Sequence, residues 1–278
     1  MRTFAYAGGS LLLGETTYLM GVLNVTPDSF FDGGRYFSPD LAAARAAALQ
    51  NEGAHIVDLG VCSTRPGGEV IGEEEELRRL EEVFDRVRAA VSVPLSVDTF
   101  RPAAAAYVLR RGANIVNDVS GVVSPQMAAL VKEYHAGWVI THTGPEGAKT
   151  ADEYDYPGGV TAHVQAFFDS ALEQTLRLGI PPEHICLDPG FGFAKNVAQN
   201  LVLLTSMKTL DTGGAALLAA LSRKRFVGAI SGENDPENRL PGTLAANVAA
   251  VEQGADILRV HDVNAHRPVI LAADRIYR

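Results

Sequence analysis

Short apolar runs alternate with longer alanine-rich or amphipathic stretches along this chain. Eight runs have the length of strands: Tyr18–Asn24, His55–Gly60, Pro94–Thr99, Asn114–Val119, Gly137–His142, His184–Pro189, Ala215–Leu221 and Ile257–Val260. Helical periodicity fills the intervals, most clearly over Pro39–Glu52, Glu73–Ala90, Pro102–Arg111, Val160–Gly179 and Thr243–Gln253. Ser38-Pro39 is a helix-start signal, and Gly53, Gly112, Gly179 and Gly254 are stop signals. Helices hand over to strands through the same step three times, as Gly53-Ala54, Gly112-Ala113 and Gly254-Ala255. A parallel sheet flanked by helices repeats that junction. Eight such units predict an α/β chain folded as a single-domain (β/α)8 TIM barrel over residues 1–278, with a doubly wound open sheet as the alternative. Residues 144–159 read as a long surface loop.

Composition narrows the possibilities. A chain of 278 residues, 47% hydrophobic but only 7% aromatic, suits a core of branched aliphatics on a parallel sheet. The net charge of −9 argues against a nucleic-acid partner, which calls for a basic face. Cys62 and Cys186 are too few for a disulfide framework or a zinc ribbon and read as reduced thiols. No run reaches transmembrane length and no signal-peptide pattern opens the chain, so a cytoplasmic protein without a membrane partner is expected.

The last residues of the expected strands carry the chemistry. Asn24, Asp58, Asp98-Thr99, Asn117-Asp118, His142, Asp188, Ser222-Arg223-Lys224 and Arg259-Val260-His261-Asp262 follow one another in strand order. Barrel active sites are built at that end. Asp98, Asn117 and Asp188 suit a flat heterocycle rich in N–H donors, since a carboxylate accepts two such bonds side by side. The bland alternative is that Asp98 and Asp188 cap the following segment. Arg65, Lys224, Arg259 and His261 add cations that suit an anionic substrate, against the alternative of solvated surface charge. Lys195, Arg223 and Arg225 are expected to be solvated or locally paired. Asn24 is either an oxygen ligand for Mg²⁺ shared with phosphate or a buried turn amide. Gly190–Phe193 allows close backbone approach and offers Phe193 as an apolar wall. His142 reads as a pocket group or, as is commoner for a lone strand-end histidine, a structural one; Trp138 reads as core, and Glu73–Glu76 as a helix first turn favoured by the dipole.

Together these segments resemble the dihydropteroate synthase family. Met20-Gly21-Val22-Leu23-Asn24-Val25-Thr26-Pro27-Asp28-Ser29-Phe30 resembles the family's first signature and Ser63-Thr64-Arg65-Pro66-Gly67 its second. Val97-Asp98-Thr99, Asn117-Asp118, Leu187–Lys195, Ser222-Arg223-Lys224 and Arg259–Val263 continue the likeness in order. The resemblance implies a pterin-binding barrel joining 6-hydroxymethyl-7,8-dihydropterin pyrophosphate to para-aminobenzoate. It implies that Asp98, Asn117, Asp188, Lys224 and Arg259 hold the pterin, and that Arg259 and His261 bind the pyrophosphate. Thr64, Arg65, Pro66, Phe193 and Ser222 would shape the para-aminobenzoate site, which sulfonamides occupy in typical members. Asp28, Arg65 and Lys224 would take catalytic parts, Asn24 would contact Mg²⁺, and the chain would form a homodimer.

Two segments depart from the family pattern. Val61-Cys62 stands where Gly-Glu usually precedes Ser-Thr-Arg-Pro, and Thr141-His142-Thr143 replaces a Met-His-Met type motif at the pterin floor. Two other readings share the strand-end Asp/Asn set: a barrel holding methyltetrahydrofolate for methyl transfer, and a pterin-binding homologue without synthase activity.

Overall fold

The computed structural model describes residues 2–25, 38–62, 71–144 and 154–278. Eight parallel strands close into a barrel: β3 (Tyr18–Asn24), β4 (Ile56–Gly60), β5 (Leu95–Asp98), β6 (Ile115–Asp118), β7 (Gly137–Thr141), β8 (Ile185–Asp188), β9 (Ala216–Ala219) and β10 (Ile257–Val260). They follow chain order around the ring, and β10 pairs with β3 to shut it. All eight expected strands are present, two with the expected bounds and six trimmed by a residue or two at one or both ends. The open-sheet alternative is thereby excluded.

Helices α1 (Pro39–Glu52), α2 (Glu73–Ala90), α3 (Pro102–Arg110), α4 (Pro125–Tyr134), α5 (Val160–Arg177), α6 (Val197–Ser206), α7 (Arg225–Ser231), α8 (Leu240–Glu252) and α9 (Val263–Tyr277) follow the strands. Ser38 caps α1, its side chain accepting from the Leu41 amide, and Gly53 ends the helix at φ +108°. α8 begins three residues before the expected Thr243, because Pro241 fits the first turn of a helix.

The strands alternate between two apolar cores. Val57, Leu59, Val97, Val116, Ile140, Leu187 and Leu258 face the helices. Met20, Ile56, Ile115, Val139, Cys186, Ala216, Leu218 and Ile257 fill the barrel interior. The period of two that divides them also decides which strand-end groups point into the barrel mouth.

The hairpin of β1 (Arg2–Tyr6) and β2 (Gly9–Leu13) was not expected from the sequence. It plugs the lower end of the barrel. Phe4, Leu11 and Leu13 join the interior core. Gly137 starts β7 without a side chain because a Cβ there would lie 2.7 Å from the Phe4 ring. Arg2 clamps the plug through a paired contact with the wholly buried Asp256, which also accepts from the Leu217 amide. No helix among the described residues is long and apolar enough to cross a membrane.

Phe4 is fully buried, so Phe4→Ala removes the plug's main apolar contact. A loss of about 3–5 kcal/mol is expected. Urea unfolding checks it, and a loss below about 1 kcal/mol would remove the hairpin from the core.

Candidate functional site

Counting two residues up from the interior core gives the site. Ile56 leads to Asp58, Ile115 to Asn117, Val139 to Thr141, Cys186 to Asp188 and Ile257 to Arg259. All five therefore face the barrel mouth. Asp98 joins them because it sits in register with Asn117, and Asp188 sits in register with Thr141. The same alternation turns Asp118 outward, where it accepts from the Trp138 indole and the Ser120 amide. His142 turns outward too, towards Phe167 and His163 of α5.

Asp58 is the centre of the mouth. Its carboxylate is wholly buried and accepts from Ser96 Oγ at 2.6 Å, Asn117 Nδ2 at 3.1 Å and Arg259 Nε at 2.6 Å. The second arm of Arg259 donates to Asp98 Oδ2 at 2.9 Å. One guanidinium is thus forked across two carboxylates. Burial works against its charge, but Asp58 and Asp98 outweigh that and hold its pKa above the ordinary value. Sequence reading noted Asp58 on its strand and gave it no role. The signal available was its place two residues above Ile56, in line with the assigned groups.

Opposite this fork stand Asp188 and Lys224. Burial pushes the Asp188 carboxyl up, against the pull of Lys224 and of the Gly190 amide, which donates to Asp188 Oδ1 at 2.8 Å. Burial pulls the Lys224 ammonium down to about 8, against the pull of Asp188. Lys224 donates to the Phe191 carbonyl and lies 5.2 Å from the centre of the Phe193 ring. At the rim, His261 Nδ1 is 3.0 Å from Ser222 Oγ. Two residues assigned to different substrates, Ser222 and His261, are therefore neighbours.

Asn24 faces the same space. A Cβ built on Gly60 would lie 3.5 Å from Asn24 Oδ1 and 3.9 Å from Asp98 Oδ2. The absent side chain leaves a gap edged by hard oxygen donors. Among the described residues no group of three or more His, Cys, Asp or Glu could hold a metal. Such a set fits a hard cation held by one or two protein oxygens and by phosphate, and it does not fit a closed protein cage. Asp28, Thr64, Arg65 and Pro66 lie outside the described residues.

Arg223 is paired with Asp262 at 2.7 Å, as expected of a locally satisfied charge. Lys195 corrects the sequence reading: it is no surface cation but a buried one, 5% exposed, bonded to Gly190 O, Phe193 O and His142 Nδ1. Its stem runs beneath the glycine-rich loop rather than away from it. The Thr141 hydroxyl is fully buried and has no hydrogen-bond partner among the described residues. Burial raises the Cys62 thiol to about 12, which makes it a poor nucleophile.

The profile of a family described as "pterin binding enzyme" matches residues 20–261. The chain belongs to the dihydropteroate synthase family of pterin-binding enzymes. A dihydropteroate synthase from Synechocystis is 39% identical over 266 residues, covering 95% of this chain and 92% of that one. The Xanthomonas albilineans dihydropteroate synthase solved with 4-aminobenzoic acid superposes with a TM-score of 0.90 at 36% identity, over 99% of this chain and 98% of that one. The same bacterium's enzyme in complex with 7,8-dihydropteroate gives 0.85 at 37% identity, over 97% of each chain.

Two expectations follow from this geometry. Asp58→Asn keeps the shape but removes the charge that orients Arg259, and should weaken pterin binding by about tenfold or more, the factor given by about 1.4 kcal/mol. Calorimetric titration with a pterin checks it, and an unchanged affinity would deny Asp58 a part. The second expectation concerns pH. Lys224 loses its charge as pH rises through about 8, so its grip on an anion should fade over the same range. Stability moves the other way. The unfolded lysine keeps a proton that the folded one has released, so this group's contribution to stability rises between about pH 8 and the ordinary lysine value. Affinity and melting temperature measured over pH 7–10 should thus diverge.

Proposed function

We propose that this chain catalyses the dihydropteroate synthase reaction, joining 6-hydroxymethyl-7,8-dihydropterin pyrophosphate to para-aminobenzoate with release of pyrophosphate. The observation that supports it most directly is the division of charge within one mouth. Asp98, Asn117 and Asp188 lie deep, while Lys224 and His261 stand by the Phe191–Phe193 wall and the rim.

In this reading Asp98 and Asp188 accept N–H bonds from the pterin, and Asn117 adds amide contacts. A carboxylate pair suits a ring that gains positive character as the bond from its methylene carbon to the pyrophosphate oxygen breaks. Arg259, held by Asp58, covers the ring. Lys224, Arg259 and His261 receive the departing pyrophosphate. The amine of para-aminobenzoate, placed against Phe193 and Ser222, then bonds to the methylene carbon and gives up a proton. Asp28, Thr64, Arg65 and Pro66 belong to the same proposal as loop groups that position the arylamine and exclude water, with Asp28 and Arg65 taking part in turnover. Asn24 would hold Mg²⁺ together with pyrophosphate oxygens, and the cation when bound offsets negative charge on the leaving group. Sulfonamide binding at the arylamine wall and a homodimer rest on family membership, and a cytoplasmic location belongs to the same proposal.

The test is pyrophosphate release from the purified protein with both substrates and Mg²⁺. Release that requires both is expected, and pterin binding without release would overturn the reading. Asp188→Asn should cut pterin affinity by about tenfold or more while shifting the melting temperature little. An unshifted affinity would take Asp188 out of the site.

A further inference from the structure

The loop between β8 and α6 is held in an unusual backbone path. Gly190, Gly192 and Ala194 all have positive φ, at 71°, 80° and 48°. A side chain on Gly190 is excluded outright, since a Cβ would lie 1.7 Å from the His142 carbonyl oxygen. A non-glycine residue such as Ala194 stays in the left-handed region only when its surroundings hold it there.

Three buried polar side chains do so. Lys195 Nζ reaches Gly190 O at 2.9 Å, Phe193 O at 3.1 Å and His142 Nδ1 at 2.9 Å. Tyr156 donates its hydroxyl proton to Ala194 O at 3.1 Å. Asn200 accepts from the Gly192 amide at 2.8 Å and donates to Lys195 O at 2.9 Å. An ammonium has three protons, and Lys195 has three acceptors around it. Burial, with Lys195 beside it, pulls the His142 pKa down to about 2, so the ring is neutral and can accept at Nδ1. Burial also brings Lys195 down to about 7. The neutral amine would keep both carbonyls and accept from His142 Nδ1–H instead, so either charge state preserves the three contacts. Among the described residues no carboxylate is hydrogen-bonded to this amine. A buried lysine spent on two backbone carbonyls of one loop is a costly way to make an ordinary turn.

We propose that Lys195 is the positioning residue for the arylamine side of the site, fixing the Gly190–Phe193 wall from beneath so that Phe193 is set before the substrate arrives. The proposal rests on the synthase reading and deepens it. Lys195 does not touch the substrates. It acts through Phe193, which it holds by the carbonyl, and through the loop whose Phe191 carbonyl accepts from Lys224. His142 and Tyr156, which no substrate assignment includes, are explained by the same device.

The test compares wild type, Lys195→Met and Tyr156→Phe in steady-state kinetics for each substrate, with pterin affinity by calorimetry and folding by thermal melt. Lys195→Met should raise KM for para-aminobenzoate about tenfold or more, as small misplacements of a positioning group do, while pterin affinity changes by less than about threefold. A merely structural role would lower the active fraction, hence kcat, and leave both KM values in place. An unchanged KM for para-aminobenzoate in folded Lys195→Met overturns the proposal. Should that variant fail to fold, Tyr156→Phe decides, because it removes one tie and keeps the ring. Its KM for para-aminobenzoate should rise by roughly two- to fivefold, and no rise overturns the proposal. A wild-type protein that releases no pyrophosphate sinks the synthase reading instead, which separates the two failures.

Discussion

A guanidinium forked between two buried carboxylates sets the shape of the barrel mouth. Arg259 bonds Asp58 through Nε and Asp98 through Nη2, reaching from β10 past β3 to β4 and β5. Bringing three charges out of water is tolerable only if each is paired and further bonded. Here Ser96 and Asn117 complete the coordination of Asp58. The arrangement orients Arg259 and Asn117 at once and holds the buried Asp98 at the mouth. It depends in turn on strand alternation, since a slip of one residue in β4 would send Asp58 towards the helices.

Charge is graded across this mouth. Carboxylates lie on the inner strand faces, and the amine of Lys224 lies against the glycine-rich loop between Asp188 and Phe193. In an acidic chain of net charge −9, Lys224 places a cation at this mouth, while other cations pair with carboxylates on the helices, as Arg78 does with Glu75. Lysines with lowered pKa values mark the same end twice, in the half-buried Lys224 and the buried Lys195.

The sequence carried most of this fold because its punctuation is regular. Short apolar runs located all eight strands, Gly53 marked the end of α1, and helical periodicity gave the bounds of α2. The N-terminal hairpin escaped because its strands are five residues each, and its buried side chains, such as Phe4, are single and far from the runs they join. For the candidate site, residue type and strand position singled out Asp98, Asn117, Asp188, Lys224 and Arg259, which the fold gathers at the barrel mouth. Residue type and resemblance prefer Asn117 to Asp118, and the alternation from Ile115 supplies the physical reason, turning Asn117 into the mouth and Asp118 outward. Asp58 was passed over because its partners are remote in sequence, Arg259 being 201 residues away. Lys195 was misread for a related reason. A lysine is usually solvated, and nothing local shows that two carbonyls and an imidazole surround it.

The most direct measurement is a crystal structure of this protein soaked with a dihydropterin. The account predicts a ring lying flat in the mouth, its N–H edge within hydrogen-bond distance of Asp98 and Asp188, with Arg259 still bonded to Asp58. A ring bound elsewhere, or one that enters only after Arg259 has left Asp58, would contradict it.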